Sequence, residues 1–303
     1  MKTICRPFNL HNNDFEKMWR LLKDDYSQKQ DAFIWLFSRL EYWRFGIWHE
    51  KKYVPTFWEK NVQLWLNSFG DLLGFAISEE GDETFTIIVK PSYEYLYDDI
   101  LNWVKENWGD RGKLNIEINS LELWKSDILE KNGFDQKKLT CTTRRYDLQK
   151  AMKGEVAMKP NFKIFDMATN PDYAGKLRCT RNAFKNREVI DFDFLVNEYF
   201  IQSPSYNPYL DISVVSEEGT HVSSCIGWAD YENGVAEIET ICTHSDYRRM
   251  GFAEAVIREC MRRLYSLGIK YAYITGWNEI TNGLYGKIGS ESKTEWYRYE
   301  INK

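Results

Sequence analysis

A chain of 303 residues, 43% hydrophobic and 28% charged, has the composition of a soluble globular protein, with room for two domains at roughly 100–200 residues each. A net charge of −5 gives no support for nucleic-acid binding. No apolar run approaches the ~20 residues that cross a bilayer, and the amino terminus lacks the apolar core of a signal peptide. Six scattered cysteines (Cys5, Cys141, Cys179, Cys225, Cys242 and Cys260) form no CxxC pair, which speaks against a metal site and fits a reducing, cytoplasmic setting.

The first half opens with helices. DFEKMWRLLKDDY and DAFIWLFSRLEYWRFG carry apolar residues three and four apart, and FWEKNVQLWLNSFG reads as helix, or helix then turn. The period then changes. LLGFAISEE and ETFTIIVKP are expected strands joined by EEGD. SYEYLYDDILNWVKENWG is an expected helix capped by Gly109, LNIEIN a strand, and SLELWKSDILEKNGF a helix ending at Gly133. Residues 149–161 have no clear period, so the domain boundary is placed there, giving domains at 1–150 and 158–303.

The second half repeats the order. KIFDM is a strand; NPDYAGKLRCTRNAF and DFDFLVNEYF are helices; DISVVSEEG and HVSSCIGWADY form a hairpin. GVAEIETICT is an expected long strand, GFAEAVIRECMRRLYSLG a helix capped by Gly268, KYAYITGW a strand, ITNGLYGKIG a helix and EWYRYEI a last strand. The halves align approximately: Gly74 with Gly227, Pro91 with Ser245, Gly133 with Gly289. Two adjacent α/β units of one element order indicate a duplicated domain.

DYRRMGFAEAVI, residues 246–257, carries the chemistry. The helix starts near Gly251 and turns Val256, Ile257, Cys260, Met261 and Leu264 to one face. Its first amides have no partner within the helix and sit at the positive end of the dipole, which suits a phosphate. Gly251 lets a ligand approach the backbone, Ala253 keeps the next inward position small, and Arg248 and Arg249 add charge. Arg258, Arg262 and Arg263 form an expected basic face, of which a solvated surface is the plainer reading.

Placed between strand and helix, THSDYRRMGFA resembles the coenzyme A signature Q/R-x-x-G-x-G/A of the GNAT N-acetyltransferase superfamily. Thr243 and Ser245 stand where the usual lead-in has valine and proline, and Ser290 departs from the apolar residue that often follows Gly289. The resemblance implies an α/β (α+β) chain of two tandem GNAT-like domains, each a mixed, mostly antiparallel sheet flanked by helices. It implies acetyl-CoA as cofactor. The arm would run beside Ile241, Cys242 and Thr243. The pyrophosphate would lie on the amides of Arg249, Met250, Gly251, Phe252, Ala253 and Glu254, with Arg248 closing the turn and Asn278 bonding the arm. The thioester would sit where this strand and KYAYITGW part.

Acetyl transfer to an amine needs a base, because such amines have pKa near ~10.4, and gains from an acid at the departing thiolate. Tyr285 occupies the position of that acid in relatives. Glu237 and Glu239 lie two apart on the expected strand and are both candidates for the base, beside the plainer reading of solvent-facing carboxylates. His244 reads as a surface residue, and Cys242 as a contributor of backbone.

The first half carries an altered copy. Glu94 replaces Arg248, Tyr97 replaces Gly251, Asp99 replaces Ala253 and Leu129 replaces Tyr285. The expected outcome is a first domain that keeps the fold without coenzyme A or catalysis. The expected activity is transfer of an acetyl group to a primary amine of a small molecule or peptide; the alternative is a non-catalytic acyl-CoA-binding or interaction module. Asp191, Asp193 and Glu198, with Tyr206, Tyr209 and Trp228 nearby, suggest a cationic acceptor. Monomer and homodimer both stay open.

Overall fold

The computed structural model describes residues 3–29, 37–46, 52, 54–151, 158–185 and 198–302. The expected helix DFDFLVNEYF lies outside them up to residue 197, together with Asp191 and Asp193; Glu198 is described and exposed. In chain order the elements are β1 (Ile4–Pro7), α1 (Asp14–Lys29), α2 (Phe37–Phe45), α3 (Pro55–Asn61), β2 (Val62–Leu66), β3 (Leu72–Ile77) and β4 (Thr84–Val89). They continue as α4 (Leu96–Trp108), β5 (Leu114–Asn119), α5 (Leu123–Lys131), β6 (Asp135–Asp147), α6 (Leu148–Ala151), β7 (Phe162–Asp166) and α7 (Tyr173–Lys185). Then come β8 (Asp211–Ser216), β9 (His221–Asp230), β10 (Val235–Ile238), β11 (Cys242–Thr243), α8 (Phe252–Ser266), β12 (Tyr271–Gly276), α9 (Glu279–Ile288) and β13 (Ser292–Ile301). No described helix is long and apolar enough to cross a membrane.

The chain folds into two compact units, and no single cut separates them. Unit 1 holds residues 1–43, 47–142 and 294–303; unit 2 holds 44–46 and 143–293. The expected cut at 149–161 is therefore displaced, because β6 runs on unbroken past Thr142 and the last strand belongs to the first unit.

Unit 1 is a sheet in the order β1-β2-β3-β4-β5-β13, with the first part of β6 beside β13. All its neighbours up to β4 are antiparallel, β4 and β5 are parallel, and β13 runs antiparallel to β5 from Trp296↔Asn119 to Ile301↔Leu114. α4 lays Ile100, Leu101 and Val104 on Ile87, Ile116 and Ile118, the spacing of a helix on a sheet. Gly74 makes that approach possible: a Cβ there would meet the Ile88 carbonyl at 2.8 Å and the Ile100 side chain at 3.3 Å.

Unit 2 orders its strands as the end of β6, then β12-β10-β9-β8-β7, with β11 attached to β9. α8 packs Val256, Ile257, Cys260, Met261 and Leu264 on Ile212, Val214, Ala236 and Ile274. Gly227 serves here as Gly74 does in unit 1, with a Cβ at 2.8 Å from the Cys260 sulfur. α7 packs on β9 and β11.

Several expectations are corrected. VQLWL is strand β2; its five residues are all buried, so it shows no alternation to read. Gly109 is right-handed (φ −56°) and leads into a further tight turn, and the left-handed residue is Gly112 (φ +119°). β1 and β6, short and proline-ended or rich in basic residues, are not signalled by the sequence. GVAEIETICT is two strands, β10 and β11, with a break between Ile238 and Cys242. Arg263 is buried, not part of an open basic face: it donates to Asp166 at 2.6 Å, to Glu259 at 2.7 Å and to the Tyr209 carbonyl at 2.7 Å.

Candidate functional site

The break in the expected long strand builds the site. β10 and β12 run parallel and stay paired from Val235↔Tyr271 to Glu237↔Tyr273. β11 then pairs with β9, at Cys242↔Ser224 and Thr243↔Ser223, while β12 runs on to Gly276. Neighbouring strands therefore part, leaving a V-shaped opening between β11 and the end of β12. The His244 amide donates to the Val222 carbonyl at 2.9 Å. Antiparallel bonding alternates along a strand, so the backbone groups of Thr243 turn to the opposite edge, towards the V. Arg248 spans this edge, its Nε donating to the Thr243 carbonyl (3.4 Å) and its Nη2 to the Ala183 carbonyl (3.0 Å).

The start of α8 lies just beyond. His244 begins a tight turn over Ser245–Tyr247, its Nδ1 accepting from the Asp246 amide at 3.4 Å, in keeping with a surface role. Arg249 (φ +63°) and Gly251 (φ +86°) both take the left-handed conformation, and Arg248, Arg249 and Gly251 are exposed. Met250 packs partly on the core, and Phe252 is buried with its ring 4.5 Å from that of Phe162. The first amide bond into α8 runs from Ala255 to the Gly251 carbonyl (3.1 Å). The amides of Phe252, Ala253 and Glu254 thus have no carbonyl behind them. A Cβ on Gly251 would meet nothing within 4 Å, so the backbone here borders open space. Donors, left-handed turns, dipole and two exposed arginines fit the diphosphate of acetyl-CoA. Glu254 does not oppose it unscreened, since its carboxylate is paired with Arg258 at 2.8 Å.

Tyr285 lies on α9, 5% exposed, and Tyr146 of β6 donates to its carbonyl at 2.7 Å. Burial pushes the Tyr285 hydroxyl pKa up, and the charge of Glu239, then those of Cys225 and Cys242, push it further. The phenol is therefore protonated throughout the neutral range. The two glutamates differ sharply. Glu237 is 5% exposed on β10, in register with Trp228 and Tyr273, whereas Glu239 is exposed in the break. The Glu239 backbone is held on both sides, its amide to Ile226 (2.9 Å) and its carbonyl to the Trp228 indole (2.6 Å). Ile241 packs partly on the core. Asn278 caps α9: its side-chain oxygen accepts from the Thr281 amide at 3.0 Å, leaving Nδ2 as its remaining donor. Sequence reasoning missed the groups around the Cys242 side chain, Cys179, Thr180 and Ser224, because they come from α7 and β9, far along the chain.

Unit 1 carries the same scaffold with a different helix start. α4 begins at Leu96, so Tyr97 lies within the first turn, not at the terminus. The Leu96 and Tyr97 amides already donate to the Tyr93 and Glu94 carbonyls at 2.9 and 3.0 Å. The Tyr97 ring is fully buried, 5.2 Å from that of Trp124, with the buried Lys125–Glu122 ion pair (3.0 Å) beside it. Asp98 and Asp99 occupy the first turn, and Leu129 is buried at the position of Tyr285.

A model of the acetyltransferase (GNAT) family matches residues 178–289. Comparison with the curated proteins finds no match. Among solved structures, a tandem GNAT protein from the clavulanic acid biosynthesis pathway superposes with a TM-score of 0.69 at 11% identity, covering 99% of this chain and 98% of its own. A GCN5-related N-acetyltransferase from Sphaerobacter thermophilus gives 0.62 at 16% identity, over 99% and 96%. A GNAT-family acetyltransferase from Colwellia psychrerythraea gives 0.61 at 10% identity, over 99% and 100%. Residues 178–289 thus match the acetyltransferase (GNAT) family model, and the chain as a whole has the fold of a tandem GNAT protein.

Proposed function

We propose that this protein transfers an acetyl group from acetyl-CoA to a primary amine of a small molecule or peptide, and that unit 2 alone does so. The observation that carries this reading is the start of α8: open, left-handed at Gly251, with amides lacking carbonyl partners, where its counterpart in unit 1 is packed and bonded. The amides of Gly251 to Glu254, with Arg249, hold the diphosphate. The backbone of Thr243 orients the arm along the V, and Arg248 fixes that strand to the loop. Bound acetyl-CoA supplies an activated acyl thioester. Tyr285 keeps a proton on its hydroxyl for the departing sulfur, as its raised pKa allows. Glu239, exposed in the strand break and close enough for its charge to act on Tyr285, accepts the proton of the attacking amine. Glu237, buried in register with Trp228 and Tyr273, is the second candidate for that base.

Calorimetry with acetyl-CoA tests the reading. One molecule binds per chain, Gly251→Asp abolishes binding, and Glu94→Gln leaves it unchanged. No binding to the unmodified protein, or two molecules per chain, sinks it. Release of free thiol across a panel of amines then separates an enzyme from a binding module, since a binding module accelerates none.

A further inference from the structure

Cys179 on α7 and Cys242 on β11 take no part in the transfer, yet their sulfurs lie 4.0 Å apart across 63 residues of chain. They are 1% and 5% exposed. Two more groups converge on Cys242: the Ser224 hydroxyl at 3.1 Å and the Thr180 hydroxyl at 3.7 Å. Hydrogen bonds from Cys179, then Ser224 and Thr180, outweigh burial and bring the Cys242 thiol down to about 6. The same bond, with burial, pushes Cys179 up. Two hydroxyls converge on Cys242 besides the Cys179 sulfur, which favours the thiolate on Cys242 and makes the contact that of an attacking and a resolving cysteine.

A second pair is the contrast. The Cys225 thiol donates to the Val256 carbonyl at 3.3 Å, and burial, then Cys260, pushes its pKa well up. It stays a thiol. Cys242 also stands on the strand beside the V, which among the described residues pairs on one edge with β9.

We propose that Cys179 and Cys242 are an oxidation site, forming a reversible disulfide that ties α7 to β11 when a peroxide reaches them. The Cys242 thiolate attacks the peroxide: an S–O bond forms, the O–O bond breaks and hydroxide departs. The Cys179 sulfur then attacks the sulfenic acid. An S–S bond forms, the S–O bond breaks, and water leaves with the Cys179 proton. Two thiols are oxidised and one peroxide is reduced. The sulfurs close from 4.0 Å to about 2.05 Å, which moves β11 relative to α7. The effect on coenzyme A rests on the proposed function; the oxidation does not.

The full chain is treated with hydrogen peroxide and mapped as non-reduced peptides. The expected product is one cross-link joining the Cys179 and Cys242 peptides with loss of two hydrogens, reversed by dithiothreitol. In Cys179→Ser, dimedone traps a sulfenic acid at Cys242. Exposed Cys5 reports that the peroxide acted. A Cys242 that stays a free thiol while Cys5 is oxidised overturns the proposal, as does dimedone on Cys179 in Cys242→Ser at equal rate. Oxidised protein is expected to bind acetyl-CoA about tenfold more weakly than reduced, a loss of about 1.4 kcal/mol, because β11 carries the edge proposed to orient the arm. Equal affinity overturns the regulatory part. Reduced protein that forms the disulfide but binds no acetyl-CoA overturns the proposed function and leaves the oxidation site standing.

Discussion

The starts of α4 and α8 show how little separates an open helix start from a packed one. Both helices lie on a sheet through a glycine that permits close approach, Gly74 in one unit and Gly227 in the other. Unit 2 uses two left-handed residues, Arg249 and Gly251, to delay the helix and leave its first amides without carbonyl partners. Unit 1 begins its helix at Leu96, lets Tyr93 and Glu94 take up the amides, and buries the Tyr97 ring. The scaffold is shared, and the difference lies in whether backbone donors are left for a ligand.

The sharpest way to break the comparison is to separate its halves. Fragments 1–150 and 158–303 follow the boundary the sequence suggests. Each loses structure the intact chain supplies. The first loses β13 and the buried Tyr299 of its core; the second loses Thr143 to Asp147, with buried Tyr146 and its bond to Tyr285. Neither fragment is expected to give a cooperative thermal transition. A fragment that melts within a few degrees of the intact chain would show that the strand assignment carries no stability.

Next in size is the proposed acid, Tyr285. Tyr285→Phe is expected to lower kcat by about 10²–10⁴-fold, the usual worth of a positioned proton donor, with acetyl-CoA affinity little changed. The pH profile adds a sign. Because the Tyr285 pKa is raised, its ionisation removes no activity as pH climbs through the neutral range. A kcat that falls between pH 7 and 9 in the wild type but not in the variant would contradict this. Leu129→Ala in unit 1, by contrast, leaves kcat unchanged per folded molecule.

Much of this was legible in the residues. Gly133 and Gly268, read as the ends of their helices, both take the left-handed conformation, and the α8 face is buried as its spacing requires. What was hidden depends on distant partners. GVAEIETICT shows its break only as a slip in phase, two polar neighbours, Glu239 and Thr240, between apolar Ile238 and Ile241; the pairing with β9 that makes β11 a separate strand is not written in it. Arg263 reads as a surface charge because Asp166 stands 97 residues away. Which sheet takes β13 is written nowhere in β13 itself.

The smallest effect asks the most exact question. Gly251→Ala places a methyl where nothing lies within 4 Å, so the free protein pays for backbone strain alone. A left-handed alanine costs about 1–2 kcal/mol, and urea unfolding should report that loss. Loss of acetyl-CoA affinity measures something else. Strain present in both free and bound states cancels from the binding free energy. A drop in affinity therefore reports a ligand that approaches the Cα closely enough to meet the new methyl. Weakening by about tenfold, or 1.4 kcal/mol, is expected if the diphosphate rests on this backbone. Unchanged affinity with reduced stability would mean that Gly251 is required for the turn and not for the ligand, and the unpartnered amides of Phe252 to Glu254 would then carry the contact without it.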